Sequence, residues 1–289
     1  MANRYAYYPG CSLGSTAKEY DFSVRAVFAH LGLELHEIED WNCCGATHSA
    51  IYKEDARFLL SLRNLALAKA QGFDTVIAPC SACYKNLRRA TKLADANKNL
   101  LARVNDQMKE PYNGGVTVLH PLYAIIRDFG LEALKKRVVR PLTGIKIASY
   151  YGCMLTRPVD EFDSAERPTG LDQLVVALGA EPVEYDYKAK CCGGALALSH
   201  TGSTVRMAAN VLTSAKGRGA EAITLACPMC HMALDMYQGK AEHAIDQPLH
   251  LPVLFFTQLM GLALGLEPTQ LGLARHIVPT QDLVARIMG

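Results

Sequence analysis

The sequence predicts an α/β protein built from two similar halves, each a small, mostly parallel sheet with flanking helices. Three observations carry that reading. Short β-rich runs alternate with longer amphipathic segments, the pattern of strand-helix-strand units. Ten cysteines fall into two sets of five in the same order, and the residues around the two sets also match.

In the first half, Tyr5–Tyr8 is a β-rich run ahead of Cys11. Lys18–Leu31 reads as a helix that stops at Gly32. Leu33–Ile38 alternates apolar and polar side chains, as a half-buried strand does. Glu54–Gln71 places Phe58, Leu62, Leu65 and Ala66 on one helical face and ends at Gly72. Thr75–Ala78 is a buried strand leading into Cys80. The second half repeats the order, with strands at Ile145–Tyr150, Pro182–Tyr185 and Ala222–Leu225. Its helices lie around Leu171–Leu178 and from Ser203, the latter with Val205, Ala208, Leu212 and Ala215 on one face. The repeat boundary is placed near Pro141–Gly144, giving domains 1–141 and 142–289. Two long copies make this a duplication rather than a short-period solenoid.

A chain of 289 residues is long enough for one large core or two ordinary ones. Its formal net charge of +2 argues against a general nucleic-acid binder, which carries a clear basic excess. The N-terminal residues hold no apolar run of the secretory type. The longest apolar stretch, Leu251 to Leu266, contains Pro252, Thr257 and Gln258 and is short for a membrane span, so a buried helix is expected there. A cytoplasmic protein without a membrane span is the expectation. In that compartment thiols stay reduced, and clustered cysteines are metal ligands or catalytic thiols rather than a disulfide framework.

The spacings are C-x31-CC-x35-C-x-x-C for Cys11, Cys43, Cys44, Cys80 and Cys83. They are C-x37-CC-x34-C-x-x-C for Cys153, Cys191, Cys192, Cys227 and Cys230. Tyr7-Tyr8-Pro9-Gly10-Cys11 faces Tyr150-Tyr151-Gly152-Cys153, and Cys43-Cys44-Gly45 faces Cys191-Cys192-Gly193. Every cysteine group follows a predicted strand, and ligand sites of such folds lie at the carboxyl ends of strands. Thiolates suit iron–sulfur clusters, zinc and copper(I). Adjacent cysteines chelate one small ion poorly but reach two metals of a larger cluster, and the glycines beside them allow close backbone approach. Four thiolates complete a tetrahedral zinc site, which leaves the fifth cysteine of each half spare. A catalytic C-x-x-C dithiol leaves three per half unexplained. Zinc in one half remains an alternative to a cluster in each.

At these residues the chain resembles the CCG, or cysteine-rich, domain family. Two copies in one chain resemble the B subunit of heterodisulfide reductase, and Tyr151-Gly152-Cys153-Met154-Leu155-Thr156-Arg157-Pro158 is similar to that family's second copy. The 34-residue spacer between Cys192 and Cys227 in the second copy is one residue shorter than the family pattern. The resemblance implies a noncubane four-iron cluster on Cys11, Cys43, Cys44, Cys80 and Cys83, and a second on Cys153, Cys191, Cys192, Cys227 and Cys230. It implies two-electron reduction of a disulfide lying between them, or thiol or persulfide oxidation in reverse. It also implies two partners, a small ferredoxin-like C subunit and a flavin-containing subunit. No glycine fingerprint for a nucleotide follows a predicted strand, so no flavin or nucleotide is expected in this chain.

Further candidates lie near the cysteines. His48, His200 and His231 are candidate proton donors to a leaving thiolate, or else hydrogen-bonded loop histidines. Arg157 is a candidate for an anionic substrate group, or a surface ion pair. Lys85, Arg88 and Arg89 form a basic helix face that an acidic partner would fit, with a solvated face as the plain reading. Trp41 and the tyrosines before Cys11 and Cys153 are candidate walls against water, or core aromatics. His120 is expected to be structural.

Overall fold

The computed structural model describes residues 3–46, 54–157 and 163–289. Two four-stranded parallel sheets form the frame. The first has strand order β2-β1-β3-β4, from β1 (Arg4–Tyr7), β2 (Glu34–Glu37), β3 (Thr75–Ile77) and β4 (Thr117–Leu119). The second has order β6-β5-β7-β8, from β5 (Lys146–Tyr150), β6 (Glu181–Pro182), β7 (Ala222–Leu225) and β8 (Val253–Phe255). Helices cover both faces, so the inner strands are buried beyond their first residues, and β7 is buried at all four positions.

The helices of the first half are α1 (Gly10–Leu13), α2 (Lys18–Leu31), α3 (Glu54–Ala70), α4 (Ser81–Ala96), α5 (Lys98–Asn105), α6 (Pro121–Ala124) and α7 (Leu131–Arg137). A π-helical turn, Ile125–Phe129, continues α6. After β5 come α8 (Gly170–Ala177), α9 (Thr201–Gly217), α10 (Pro228–His231), α11 (Gln238–Ile245), α12 (Phe256–Ala263) and α13 (Gln281–Met288). Another π-helical turn, Met232–Met236, joins α10 to α11.

The halves interlock. Helix α12, which follows the last strand of the second half, packs on α2 of the first, while α6 and α7 pack on α8. Ser23 and Thr257 hydroxyls meet at 2.7 Å inside the α2–α12 contact, and Tyr20 stacks on Phe255 with centroids 4.0 Å apart. One continuous apolar core runs through both halves.

The apolar stretch Leu251–Leu266 differs from its expectation of a single buried helix. Val253–Phe255 instead extends the sheet beside β7, with Ile223 opposite Val253. Gln258 Oε1 then accepts the Phe255 N–H at 2.9 Å and opens α12. Among the described residues no helix is long and apolar enough to cross a membrane.

Strand order reverses between β1 and β3, and again between β5 and β7. Such a switch point opens a crevice at the carboxyl ends of the strands. Cys11 and Cys80 flank the first crevice, and Cys153 and Cys227 flank the second.

Candidate metal centres

Each cysteine set converges on its crevice from three strand ends. Cys11 lies in α1 just after β1, Cys43 and Cys44 follow β2, and Cys80 and Cys83 follow β3 at the start of α4. The sulfurs of Cys44 and Cys83 are 3.2 Å apart, and those of Cys43 and Cys11 are 4.0 Å apart. In the second set the Cys192 and Cys230 sulfurs are 3.4 Å apart. All ten thiols are free. Cys11 and Cys191 are exposed, Cys43 and Cys153 half-buried, and the other six buried. Each set is thus a pocket of soft donors with one face open.

The surrounding chain is shaped to these sulfurs. A Cβ on Gly10 would stand 3.1 Å from the Cys83 sulfur, and one on Gly152 would stand 3.1 Å from the Cys230 sulfur. Both glycines have positive φ, +69° and +65°, which only glycine adopts without strain. Tyr8 and Tyr150 are buried against their sets and donate to the carbonyl just before each cysteine pair, Asn42 O and Lys190 O, both at 2.7 Å. Structural equivalence therefore pairs Tyr8 with Tyr150 and Gly10 with Gly152. Backbone N–H groups point at sulfur in both loops: Gly45 to Cys43 and Gly193 to Cys191 at 3.4 Å, and Gly194 to Cys192 at 3.3 Å. These donors, and the N-termini of α4 and α10, favour thiolate over thiol.

Packed thiols in contact polarise one another. Hydrogen bonds from Cys43 and Cys83 bring the Cys44 thiol down to about 4. Hydrogen bonds from Cys153 and Cys192 bring Cys191 down to about 2. The donors move the other way: Cys43 and Cys153 are raised, first by the hydrogen bonds they give to Cys44 and Cys191. Each set thus holds at least one thiolate beside thiols that retain their protons, a state suited to binding a cation through several sulfurs.

The two sets meet. Cys80 and Cys227, one from each half, are both buried, and Ser81 beside Cys80 donates to Ala226 O beside Cys227 at 3.0 Å. Cys227 is lowered, first by Cys230 and then by Cys80, and Cys80 is raised by Cys227.

Polar groups that sequence reasoning passed over hold the cysteine loops. Asn64 on α3 accepts the Asn42 N–H and donates to Asn42 O, both at 2.9 Å. Ser61 and Asn86 donate to Cys44 O at 3.2 and 3.1 Å. In the second half Thr204 donates to Gly193 O at 2.9 Å. Lys188 accepts the Tyr151 and Gly152 N–H groups on its carbonyl and pairs with buried Asp172 at 2.8 Å.

The other candidates are placed as follows. His48 lies outside the described residues. His200 is exposed at the start of α9. His231 is buried and stacked on Phe255, and its Nε2 lies 3.1 Å from both Val253 O and His276 Nδ1. Burial brings the His231 pKa down to about 4, so the ring is neutral. His231, Asp235 and His276 come within 4.8 Å of one another, but Asp235 accepts the Ile277 and Val278 N–H groups and His276 Nε2 meets Gln258 Oε1. Hydrogen bonds therefore account for this trio. Arg157 pairs with Glu166 at 2.6 Å on the surface. Lys85 Nζ reaches across to Met154 Sδ at 3.5 Å, linking α4 to the residue after Cys153. Arg88 lies on the Tyr84 ring, and Arg89 is exposed. Trp41 packs edge-on to Tyr8 at 5.5 Å and donates to Glu37.

The chemistry of the two donor sets fits an iron–sulfur centre in each half: five thiols, one open face, and glycines where a side chain would strike sulfur. Comparison with known proteins agrees. The family model described as the cysteine-rich domain (CCG) matches residues 5–88 and 147–235. The 8-methylmenaquinol:fumarate reductase membrane anchor subunit of Wolinella succinogenes is 33% identical over 98% of this chain and 100% of its own length. The B subunit of the ferredoxin/F420H2-dependent CoB–CoM heterodisulfide reductase of Methanosarcina acetivorans is 28% identical over 98% of this chain and 97% of its own. In shape, a hypothetical protein from Helicobacter pylori superposes with a TM-score of 0.76 at 16% identity, covering 96% of this chain. This chain spans 52% of that one, and the likeness concerns the fold alone. The chain therefore belongs to the cysteine-rich CCG domain family, as a two-copy member related to the B subunit of heterodisulfide reductase.

Proposed function

We propose that the chain is an iron–sulfur subunit of an oxidoreductase complex that splits a disulfide into two thiols, or runs the reverse oxidation. The observation that carries this reading is the meeting of the two five-cysteine sets, where Ser81 beside Cys80 donates to Ala226 O beside Cys227 at 3.0 Å. A disulfide takes up two electrons and two protons and yields two thiols, so a pair of adjoining one-electron sites matches it.

Cys11, Cys43, Cys44, Cys80 and Cys83 would hold one centre, and Cys153, Cys191, Cys192, Cys227 and Cys230 the other. Bound there, noncubane four-iron clusters supply one-electron redox chemistry in each half. The chain's own contribution is to place and protect. Tyr8 and Tyr150 close the inner wall of each set against water. The N–H groups of Gly45, Gly193 and Gly194 stabilise charge on sulfur. Exposed Cys11 and Cys191 mark the open face for a substrate or partner. Electrons arrive from a small ferredoxin-like C subunit and a flavin-containing subunit on the cytoplasmic side.

A second reading follows from the relative named as part of a fumarate reductase. There the chain relays electrons inside a larger complex and has no substrate of its own.

Iron, acid-labile sulfide and zinc are measured on protein purified without oxygen, with EPR after thiol addition and oxidation. About eight irons per chain, two four-iron clusters, with a thiol-dependent signal support the disulfide reading. Full iron without any thiol response selects the relay. Stoichiometric zinc with little iron overturns both. Cys44→Ala and Cys192→Ala should each abolish disulfide reduction.

A further inference from the structure

His120 follows β4, a strand that delivers no cysteine. Its ring is fully buried. Nδ1 accepts the Leu122 N–H at 3.2 Å, which leaves the ring proton on Nε2. Nε2 stands 2.7 Å from Pro79 O and 3.1 Å from Ala226 O. These carbonyls belong to the residues directly before Cys80 and Cys227. A single N–H thus spans the two C-x-x-C loops, one from each half. Ser81, next to Cys80, also donates to Ala226 O, at 3.0 Å.

The ring has little freedom to leave. Tyr84, Tyr123 and Phe256 surround it with centroids 5.9 to 6.2 Å away. The second half does not repeat the arrangement. Phe255 holds the matching place at the end of β8, where it stacks on Tyr20 and His231 and offers no donor. The imidazole clasp on this pair of loops therefore comes from the first half alone.

We propose that His120 is a positioning residue: it ties the Cys80 loop to the Cys227 loop and so sets the spacing of the two cysteine sets. The tie is made by protein atoms alone. Its consequence for electron sharing rests on the reading given under Proposed function, and two readouts keep them apart.

The first readout is the metal-free full-length chain treated with diamide, which takes two electrons and two protons from a thiol pair and leaves a disulfide. Peptide mass mapping then follows the Cys80–Cys227 link. The wild type should form it. His120→Phe, which copies Phe255, should slow it roughly tenfold or more, the scale of loss that follows misplacement of reacting groups. His120→Gln keeps an N–H donor and should restore most of the rate. Ser23→Ala removes a buried hydrogen bond between the same two halves, away from the cysteines, and should leave the rate unchanged. Should His120→Phe not fold, His120→Asn takes its place, because the shorter amide does not reach both carbonyls; the same loss is expected.

The second readout is the magnetic interaction between the two centres in the EPR spectrum of the iron-loaded protein. It should change in His120→Phe and hold in His120→Gln and Ser23→Ala. A wild-type link rate in both His120→Phe and His120→Asn, or an equal loss in Ser23→Ala, overturns the clasp. The expected link rates without any iron in the purified protein uphold the clasp and overturn the two-cluster reading.

Discussion

Gly152→Ala tests whether the glycine before each first cysteine is there to let sulfur approach the backbone. Gly152 has φ +65°, and an added Cβ would stand 3.1 Å from the Cys230 sulfur and 3.5 Å from the Tyr150 ring. A left-handed conformation costs an alanine about 1–2 kcal/mol. Tyr150 is held by its hydrogen bond to Lys190 O, so the yielding neighbour is the Cys230 sulfur, by a few tenths of an ångström on the scale at which cores feel overpacking. The melting temperature of the metal-free chain should fall by roughly 3–6 °C, at about 2–4 °C per kcal/mol for chains of this order of size. Because only one set is disturbed, iron should fall by about half on the two-centre reading proposed above. Gly10→Ala, with φ +69° and 3.1 Å to the Cys83 sulfur, should do the same to the other half. Gly217→Ala is the control: nothing lies within 4 Å of its Cβ position, and alanine in a helix is neutral or favourable. Wild-type melting and full iron in both Gly152→Ala and Gly10→Ala would refute the argument.

Three further outcomes are expected. Lys188→Met leaves Asp172 charged in a buried site with both partners 12% exposed or less, and should cost about 3–5 kcal/mol in urea unfolding; a midpoint within error of wild type would remove the ion pair as a support of the Cys191 loop. Burial holds the His120 pKa at about 4, below an unfolded value of about 6.5, so the unfolded chain binds the extra proton. That stability is full above pH 6.5 and is lost as pH falls toward 4, at no more than ~1.4 kcal/mol per pH unit. His120→Gln should flatten the stability profile over this window, and parallel profiles would count against a neutral buried ring. Pulsed iodoacetamide labelling of the metal-free chain should modify Cys191 first, since it is exposed and its thiol is brought down to about 2, with the six buried cysteines modified only on the longer timescale of the local opening by which diamide reaches Cys80 and Cys227. Early labelling of Cys80 or Cys227 would contradict their burial.

Much of this was legible because the cysteines mark the repeat and the strands precede them. Helix Lys18–Leu31 and strand Ala222–Leu225 fall where periodicity placed them, and Glu54–Ala70 differs from its expectation at one terminal residue. The fourth strand of each half was not seen. Thr117–Leu119 and Val253–Phe255 are three residues long, too short to show a period, and are strands only because β3 and β7 offer them an edge. With them went the roles of His120 and Phe255, which cap those strands. The loop supports Ser61, Asn64 and Asn86 were hidden for another reason: their helices read correctly, but no spacing reveals which polar residue turns inward. His231 was singled out for its place beside Cys230, and only the folded chain commits its Nε2 to Val253 O and His276.

The duplication explains the frame better than it explains the centre. Equivalent glycines, tyrosines and thiols recur on both sides, and each half lays the helix that follows its fourth strand on a helix of the other. Separation of the halves would therefore expose α2, α8 and α12 and part Cys80 from Cys227 at once. Where the two C-x-x-C loops meet, the likeness of the halves ends. After the C-x-x-C motifs stand Tyr84 and His231, and at the ends of the fourth strands stand His120 and Phe255, so each pair sets one polar ring against one aromatic partner in opposite order. A polar clasp between the loops needs only one N–H, and a second buried imidazole in the place of Phe255 would bring a second donor to carbonyls already served. The broken symmetry leaves the buried carbonyls paired with the fewest buried polar groups. It also makes the two cysteine environments inequivalent: within the adjacent pairs the lowered thiol is Cys44, the second of its pair, in one half and Cys191, the first of its pair, in the other, and Cys227 is lowered while Cys80 is raised.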